Sequence, residues 1–182
     1  ALAFVELEEG LVKKSSLEAV SYASSIEGDV AAIVFGAMND GEADKIGAAG
    51  ANKVLHVTDD SLAQPNIMAY ASAIAEAMDK EGSGLLVLAK SSLGDPVSAR
   101  VAIKTGAALA TNVVELPDTS AGFKVKCSIY TGKAFAINTL SGDKKILGLK
   151  KNAVAIKEDG GSATVETFAP TKNDGDFKVK VT

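Results

Sequence analysis

At 182 residues the chain can bury one sizeable core with an appendage, and its 47% apolar and 23% charged residues are those of an ordinary globular protein. With 19 basic and 23 acidic side chains the net charge is −4, and Arg100 is the one arginine, a balance that argues against recognition of a nucleic-acid backbone. No apolar run reaches the roughly 18 residues of a membrane span, and a single cysteine excludes an internal disulfide.

The first half alternates strand and helix patterns. Residues 3–7 read as a short strand, turned at Gly10. Ser15-Ser16-Leu17-Glu18 reads as a capping box for a helix over 16–25, with Leu17, Val20 and Ala23 or Ser24 on one face. Residues 30–35 form a second strand pattern, and Asn39 with Glu42 suggests a cap before a short helix ending near Ala49 and Gly50. A third strand over Lys53–Val57 leads to a helix over 66–80, where Ile67, Tyr70 or Ala71, Ile74 and Met78 recur at helical spacing. Leu85–Ala89 is a continuous apolar run, as expected of a strand covered on both faces. After it, Asp95 stands where an N-cap belongs, Pro96 suits the first helical position, and Gly106 suits the position past the end. Strands and helices alternating at these lengths imply right-handed crossovers and a parallel sheet, whose C-terminal loops meet ligands and partners.

After Thr111 the pattern changes. Residues 113–116, 123–130, 133–140 and 144–149 are β-like, separated by turn residues at 118–122, 131–132 and 141–143. They read as antiparallel hairpins added to the edge of the parallel sheet or arching off it. Residues 154–156 read as a further short strand and 157–162 as a flexible linker. Phe177, Val179 and Val181 alternate between lysines as in a protected edge strand.

Four ordered stretches together resemble the N-terminal domain of the electron transfer flavoprotein alpha subunit. They are FVELEEGLVKKSSLEAVSYA with Lys14, Ser16, Glu18 and Ala19; ADKIGAAGANKVLHV; SSLGDPVSARVAIKTGAALATNVVEL with its single arginine; and IYTGKAFAINTL with Tyr130, Gly132, Lys133 and Ala134. The resemblance covers roughly residues 2–156. It implies a three-layer α/β fold with a mainly parallel sheet, of the adenine nucleotide alpha hydrolase-like kind, and a β-hairpin-rich C-terminal extension. The α/β domain would span 1–157, and 158–182 would be a linker and edge strand leading toward a FAD domain absent from this chain.

The resemblance further implies an electron carrier subunit, not an enzyme. It would scaffold FAD-mediated electron transfer from flavin dehydrogenases, in a heterodimer with the beta subunit; apart from the resemblance, the single cysteine and the lack of a long apolar run make a reduced, cytoplasmic setting the default expectation. FAD is held in this family mainly by a further domain that opens on a glycine-rich strand-turn, so this chain alone is not expected to bind it. Either that domain was removed or the chain is a stand-alone relative. One departure stands out between Gly94 and Arg100. There the family has a basic residue followed by an aspartate, whereas this chain has Asp95 and Pro96, and an acid at a helix N-terminus counts against anion binding.

Individual residues can each be read two ways. Ser91, Ser92 and Gly94 form a loop that suits either a cofactor phosphate or a tight turn into a capped helix. Arg100 suits a bidentate contact to the cofactor region or a partner, or a surface ion pair. Tyr130, Gly132 and Lys133 form a partner contact or a plain hairpin tip. His56 on its strand reads as structural, Cys127 as a small buried hydrophobe, and Asp59-Asp60 as a solvated turn. An alternative is a stand-alone nucleotide-binding protein of the universal-stress type, but Gly94 and Gly106 do not supply its phosphate loop. An ATP-pyrophosphatase-type enzyme needs a serine-glycine loop where this chain has the acidic turn Glu6-Leu7-Glu8-Glu9-Gly10.

Overall fold

The computed structural model describes residues 1–179. β1 (Leu2–Val5) runs into a small hairpin, β2 (Leu7–Glu8) and β3 (Leu11–Val12), turned at Gly10 with φ 79°. There follow α1 (Lys14–Ile26), β4 (Ala31–Phe35), α2 (Glu42–Ala48), β5 (Lys53–Val57), α3 (Ile67–Lys80) and β6 (Leu85–Ala89). Then come α4 (Gly94–Thr105), β7 (Ala108–Val113), β8 (Phe123–Ile129), β9 (Ala134–Leu140), β10 (Lys145–Leu149) and β11 (Thr164–Thr167). Nine strands form one sheet in the order β11-β5-β4-β1-β6-β10-β7-β8-β9. Pairing is parallel from β11 to β7 and antiparallel from β7 to β9.

Successive side chains of a strand point to opposite faces, and here both faces are covered. Leu2 and Phe4 join Ile33, Leu55, Leu86 and Ile146 beneath α3 and α4. Ala3 and Val5 join Val34, Val87 and Leu147 beneath α1 and α2. That is the three-layer α/β architecture expected, and it explains why β4 and β6 are buried at every position.

The β8–β9 hairpin is added antiparallel to the β7 edge of the sheet, as expected, and it also arches over the sheet. Asn112, at φ 58°, breaks β7 where its pairing with β10 slips between Leu147 and Leu149. The chain then turns back, and Val125, Cys127 and Leu140 bury into the same cluster as Leu147, Leu149 and Tyr22 of α1. The β8–β9 ribbon thus covers a part of the sheet that α1 leaves bare, and Tyr22 donates its hydroxyl to the Glu115 carbonyl at 2.9 Å. β10 is not a hairpin strand after the turn at 141–143. It inserts between β6 and β7, parallel to both, because Ile146–Leu149 is apolar at every position and needs cover on both faces.

Several local expectations are also corrected. Ser15 through Glu18 lie inside α1, whose N-cap is Lys13 with no side-chain bond. Ser16 Oγ instead accepts the Glu6 amide at 2.9 Å, and Glu18 accepts the Asn152 amide at 2.7 Å. Leu17 is only half buried, whereas Glu18 and Ser21 are buried. Asn39 does not cap α2; Glu42 turns back to accept the Val12 amide at 2.8 Å. α4 begins at Gly94, so Asp95 lies in its first turn, and Gly106 closes it with φ 67° as expected.

Residues 154–156 form no strand, and 157–162 are not a free linker. The Lys157 amide donates to Ser21 Oγ at 2.9 Å and the Gly160 amide to the Ala48 carbonyl at 2.8 Å. A Cβ on Gly160 would lie 2.6 Å from the Gly50 Cα, so backbone rides on backbone there. This crossover delivers β11 to the outer side of β5, after which Phe168 buries and Asp174–Phe177 makes a 3₁₀ turn against α3. Phe177 therefore belongs to a turn and not to an edge strand; Val181 lies outside the described residues.

Candidate functional site

In an open α/β sheet, ligands bind where the strand order reverses, at the C-terminal ends of the strands. Here that point lies between β1 and β6, since the chain passes from β1 outward to β4 and β5 and then returns to β6. A cavity of about 190 Å³ opens there, lined by Phe4, Glu6, Gly36, Tyr70 and Leu93 among others. Its floor is aromatic: the Phe35 and Tyr70 rings stack with centroids 4.0 Å apart. Tyr70 donates its hydroxyl to the Leu62 carbonyl at 2.8 Å, and burial pushes that hydroxyl above the usual phenol range. His56 donates from Nε2 to the Gly36 carbonyl at 2.7 Å, a structural tie between β5 and the end of β4.

The charge in the crevice is negative. Glu6, 6% exposed, follows β1 directly; its Oε1 accepts the Ser91 hydroxyl, and Lys13 Nζ lies 3.5 Å from its Oε2. Ser91 Oγ also accepts the Gly94 amide at 2.7 Å, satisfying a first-turn donor of α4. Gly94 is buried, and a side chain there would strike the Ala89 carbonyl. A carboxylate thus stands where a phosphate would be cradled, and the serine that would help cradle it is already committed. Neither the sign of the charge nor the volume fits a dinucleotide.

A second, open hollow of about 590 Å³ lies at the ends of β6, β10 and β7. Lys90, Ser92, Asp95, Asn112, Lys150 and Lys151 line it together with Ser91. Lys90 pairs with Asp95 at 3.1 Å, and Lys150 Nζ lies 3.4 Å from Ser128 Oγ. The same lysine stands 3.4 Å from the place a Gly132 side chain would occupy, so the ribbon tip borders the hollow. Tyr130, Thr131 and Gly132 there have φ of 48°, 55° and 94°, and Tyr130 and Lys133 are exposed.

The candidate residues therefore fall into three places. Ser91 and Gly94 build the junction between β6 and α4, while Ser92 is exposed at the hollow. Tyr130, Gly132 and Lys133 form the neighbouring tip. Arg100 is apart from both, exposed on α4 with Nε 2.8 Å from Met68 Sδ on α3. Cys127 is buried as expected, and burial pushes its thiol up despite the bond from Asn138 Nδ2. Among the described residues no group of three or more His, Cys, Asp or Glu could hold a metal ion, and no helix is long and apolar enough to cross a membrane. Glu6 was legible as part of an acidic turn, whereas the lysines of the hollow went unread in the sequence; Lys90 and Lys150, each directly after an apolar strand, were the available signal.

The sheet, covered by helices on both faces, defines a three-layer α/β domain with a buried acid at its switch point. Residues 1–173 match the model of the electron transfer flavoprotein domain, and the chain belongs to that family. It is similar to the electron transfer flavoprotein subunit alpha of Syntrophomonas wolfei, 29% identical over 163 residues, which cover 89% of this chain and 51% of that protein. It is similar also to the subunit alpha of Mycobacterium leprae, 26% identical over 178 residues, covering 95% and 55%. The chain spans about half the length of these curated relatives.

Proposed function

We propose that this chain is the scaffolding domain of an electron transfer flavoprotein alpha subunit, an electron carrier component and not an enzyme. It supports FAD-mediated transfer from flavin dehydrogenases, in partnership with a beta subunit, in the cytoplasm. The observation that carries this reading is the Glu6–Ser91 contact in the switch-point crevice, set within a family whose members are flavoproteins. The fold's own ligand position is closed to phosphate, so the cofactor belongs to another part of the assembly. In this reading the domain expected over 1–157 extends through β11 and Phe168, which belong to its sheet and core, and from there the chain leads on toward a FAD-binding half. Arg100, Tyr130, Gly132 and Lys133 meet neighbouring subunits or domains, and Ser92 is the residue of its loop left free to approach a cofactor. The alternative, a stand-alone nucleotide sensor, would need an open phosphate cradle at Glu6.

The test is spectroscopic and hydrodynamic. The purified chain should be colourless, should not be titrated by FAD or ATP, and should associate with the beta subunit encoded in the same genome. Arg100→Lys should weaken that association, since lysine cannot reproduce a bidentate contact. Tight stoichiometric binding of FAD by the chain alone would overturn the scaffold reading, and tight ATP binding would restore the nucleotide sensor.

A further inference from the structure

Lys90 and Lys150 each follow directly on a strand, β6 and β10, and those strands pair in parallel with Ala89 level with Leu149. The Lys90 amide donates to the Leu149 carbonyl at 2.7 Å, so the two lysines leave the sheet side by side. Both line the open hollow of about 590 Å³, and Lys151 joins them. Like charges at neighbouring sheet positions repel, so the arrangement costs stability. Among the described residues one carboxylate answers the three lysines, that of Asp95, 3.1 Å from Lys90. Lys150 Nζ has the Ser128 hydroxyl at 3.4 Å, and Lys151 is exposed. Three ammonium groups against one carboxylate leave two positive charges uncompensated, on a chain whose net charge is −4. The backbone around the hollow is strained as well. Of the five non-glycine residues with positive φ among the described residues, four stand here. Asn112 is in the wall, Asn152 follows Lys151, and Tyr130 and Thr131 are at the ribbon tip, whose Gly132 borders Lys150. Thr131 holds φ 55°, a value that β-branched residues rarely adopt. Strain of this kind concentrates where a chain is shaped around a ligand.

We propose that the hollow bounded by Lys90, Lys150 and Lys151 binds a phosphoryl dianion, free or as the monoester of a small molecule. Charge and geometry choose the ligand. A phosphate monoester carries about −1.5 to −2 at neutral pH, which matches the two charges left over. Its tetrahedral oxygens accept from several directions, and lysines serve it as mobile point charges. A planar carboxylate is matched better by the fork of an arginine, and Arg100, the one arginine, lies elsewhere against Met68. The Ser92 hydroxyl and the Asn112 side-chain amide are further donors on the wall. Asp95 competes with the anion for Lys90 and so limits its affinity. The site lies across the β6–α4 loop from the Glu6 crevice, since Ser91 turns its hydroxyl to Glu6 while Ser92 stands at the hollow. Solvated charges hold the anion, so binding is weak and falls with salt. That separates it from the tight FAD or ATP binding that would count against the scaffold reading, and either can fail alone.

The experiment follows the backbone amide shifts of the full chain as inorganic phosphate, and separately glycerol 3-phosphate, is added at millimolar concentration, with chloride holding the ionic strength constant. Shifts should be confined to residues 90–95, 112, 128–133 and 150–152. Binding of either ligand there supports the site, and the tighter of the two identifies the source of the phosphoryl group. Lys150→Gln combined with Lys151→Gln should weaken binding about fivefold, as the loss of two exposed ion pairs implies. Asp95→Asn should tighten it about twofold by freeing Lys90. Matching circular dichroism and melting temperature will show that each variant is folded, and Lys151→Gln alone serves if the double variant is not. Shifts spread over lysines throughout the chain would mean an adventitious ion only and would overturn the site. Unchanged affinity in the folded lysine variants, or weaker binding by Asp95→Asn, would overturn it equally.

Discussion

The Ser91 hydroxyl donates to Glu6 and accepts from Gly94, so one side chain ties the end of β1 to the first turn of α4. Ser91→Ala leaves a buried carboxylate short of a donor and a helix start short of an acceptor. Unfolding in urea should show a loss of about 1–2 kcal/mol; a loss below a few tenths would mean that water replaces the hydroxyl fully. Ser91 was legible as a site residue from its place after an apolar strand, but its role was not. Its partner is 85 positions away, and local pattern carries no such information. The same holds for Glu18 and Glu42, which look like helix-start acids yet accept amides 134 and 30 positions distant. For Glu42, burial pushes the carboxyl up, and the Lys45 and Val12 hydrogen bonds outweigh it and hold it below the usual carboxylate value.

Among the elements, legibility followed burial. β6 could be bounded to the residue because an uninterrupted apolar run admits few alternatives, and β5 because Val54, Leu55 and Val57 leave little else to bury. β10 carries the same mark in Ile146–Leu149, but the turn-like Ser141-Gly142-Asp143 before it suggested a hairpin, and nothing local reveals which two strands will flank a third. The break in β7 was hidden for a different reason. Asn112 is common in turns but here holds φ 58° inside a strand, and this redirects the whole ribbon onto the sheet. Asn112→Gly should be nearly neutral, whereas Asn112→Val, for which that region is strained, should cost about 1–2 kcal/mol. Equal melting temperatures for the two variants would show that the ribbon does not depend on this conformation.

At the level of the whole molecule, the C-terminal segment is held to the body by a few polar ties. Lys172 pairs with Asp59 at 2.6 Å, Thr171 donates its amide to Glu76 at 2.8 Å, and Ser72 donates to Asp176 at 2.5 Å. The hydrogen bond from Lys172, followed by those from Ser61, holds the Asp59 carboxyl down to about 2, against an ordinary 3.8. A carboxyl lowered by folding stabilises the docked state above its unfolded value, and that contribution is lost as pH falls through its folded value. The tie is therefore complete above about pH 4 and fades toward pH 2. Hydrogen exchange should show amides of 168–177 losing protection over that interval before those of α3 do. Lys172→Ala should shift the loss to higher pH; an unchanged profile in that variant would exclude the pair as its cause.

β10 occupies a slot between two strands that the chain has already laid down, more than thirty residues earlier in each case. Until Lys145–Leu149 has been made, β6 and β7 have no neighbour on their facing sides, and the layer beneath α4 lacks Ile146. An emerging polypeptide must therefore carry a gap through the middle of the sheet until Leu149 has been made. Closure of that gap joins contacts far apart along the chain, which makes it a slow event and a vulnerable one. The strand that fills the middle of the sheet is also the one whose late arrival leaves the growing molecule open to mispairing.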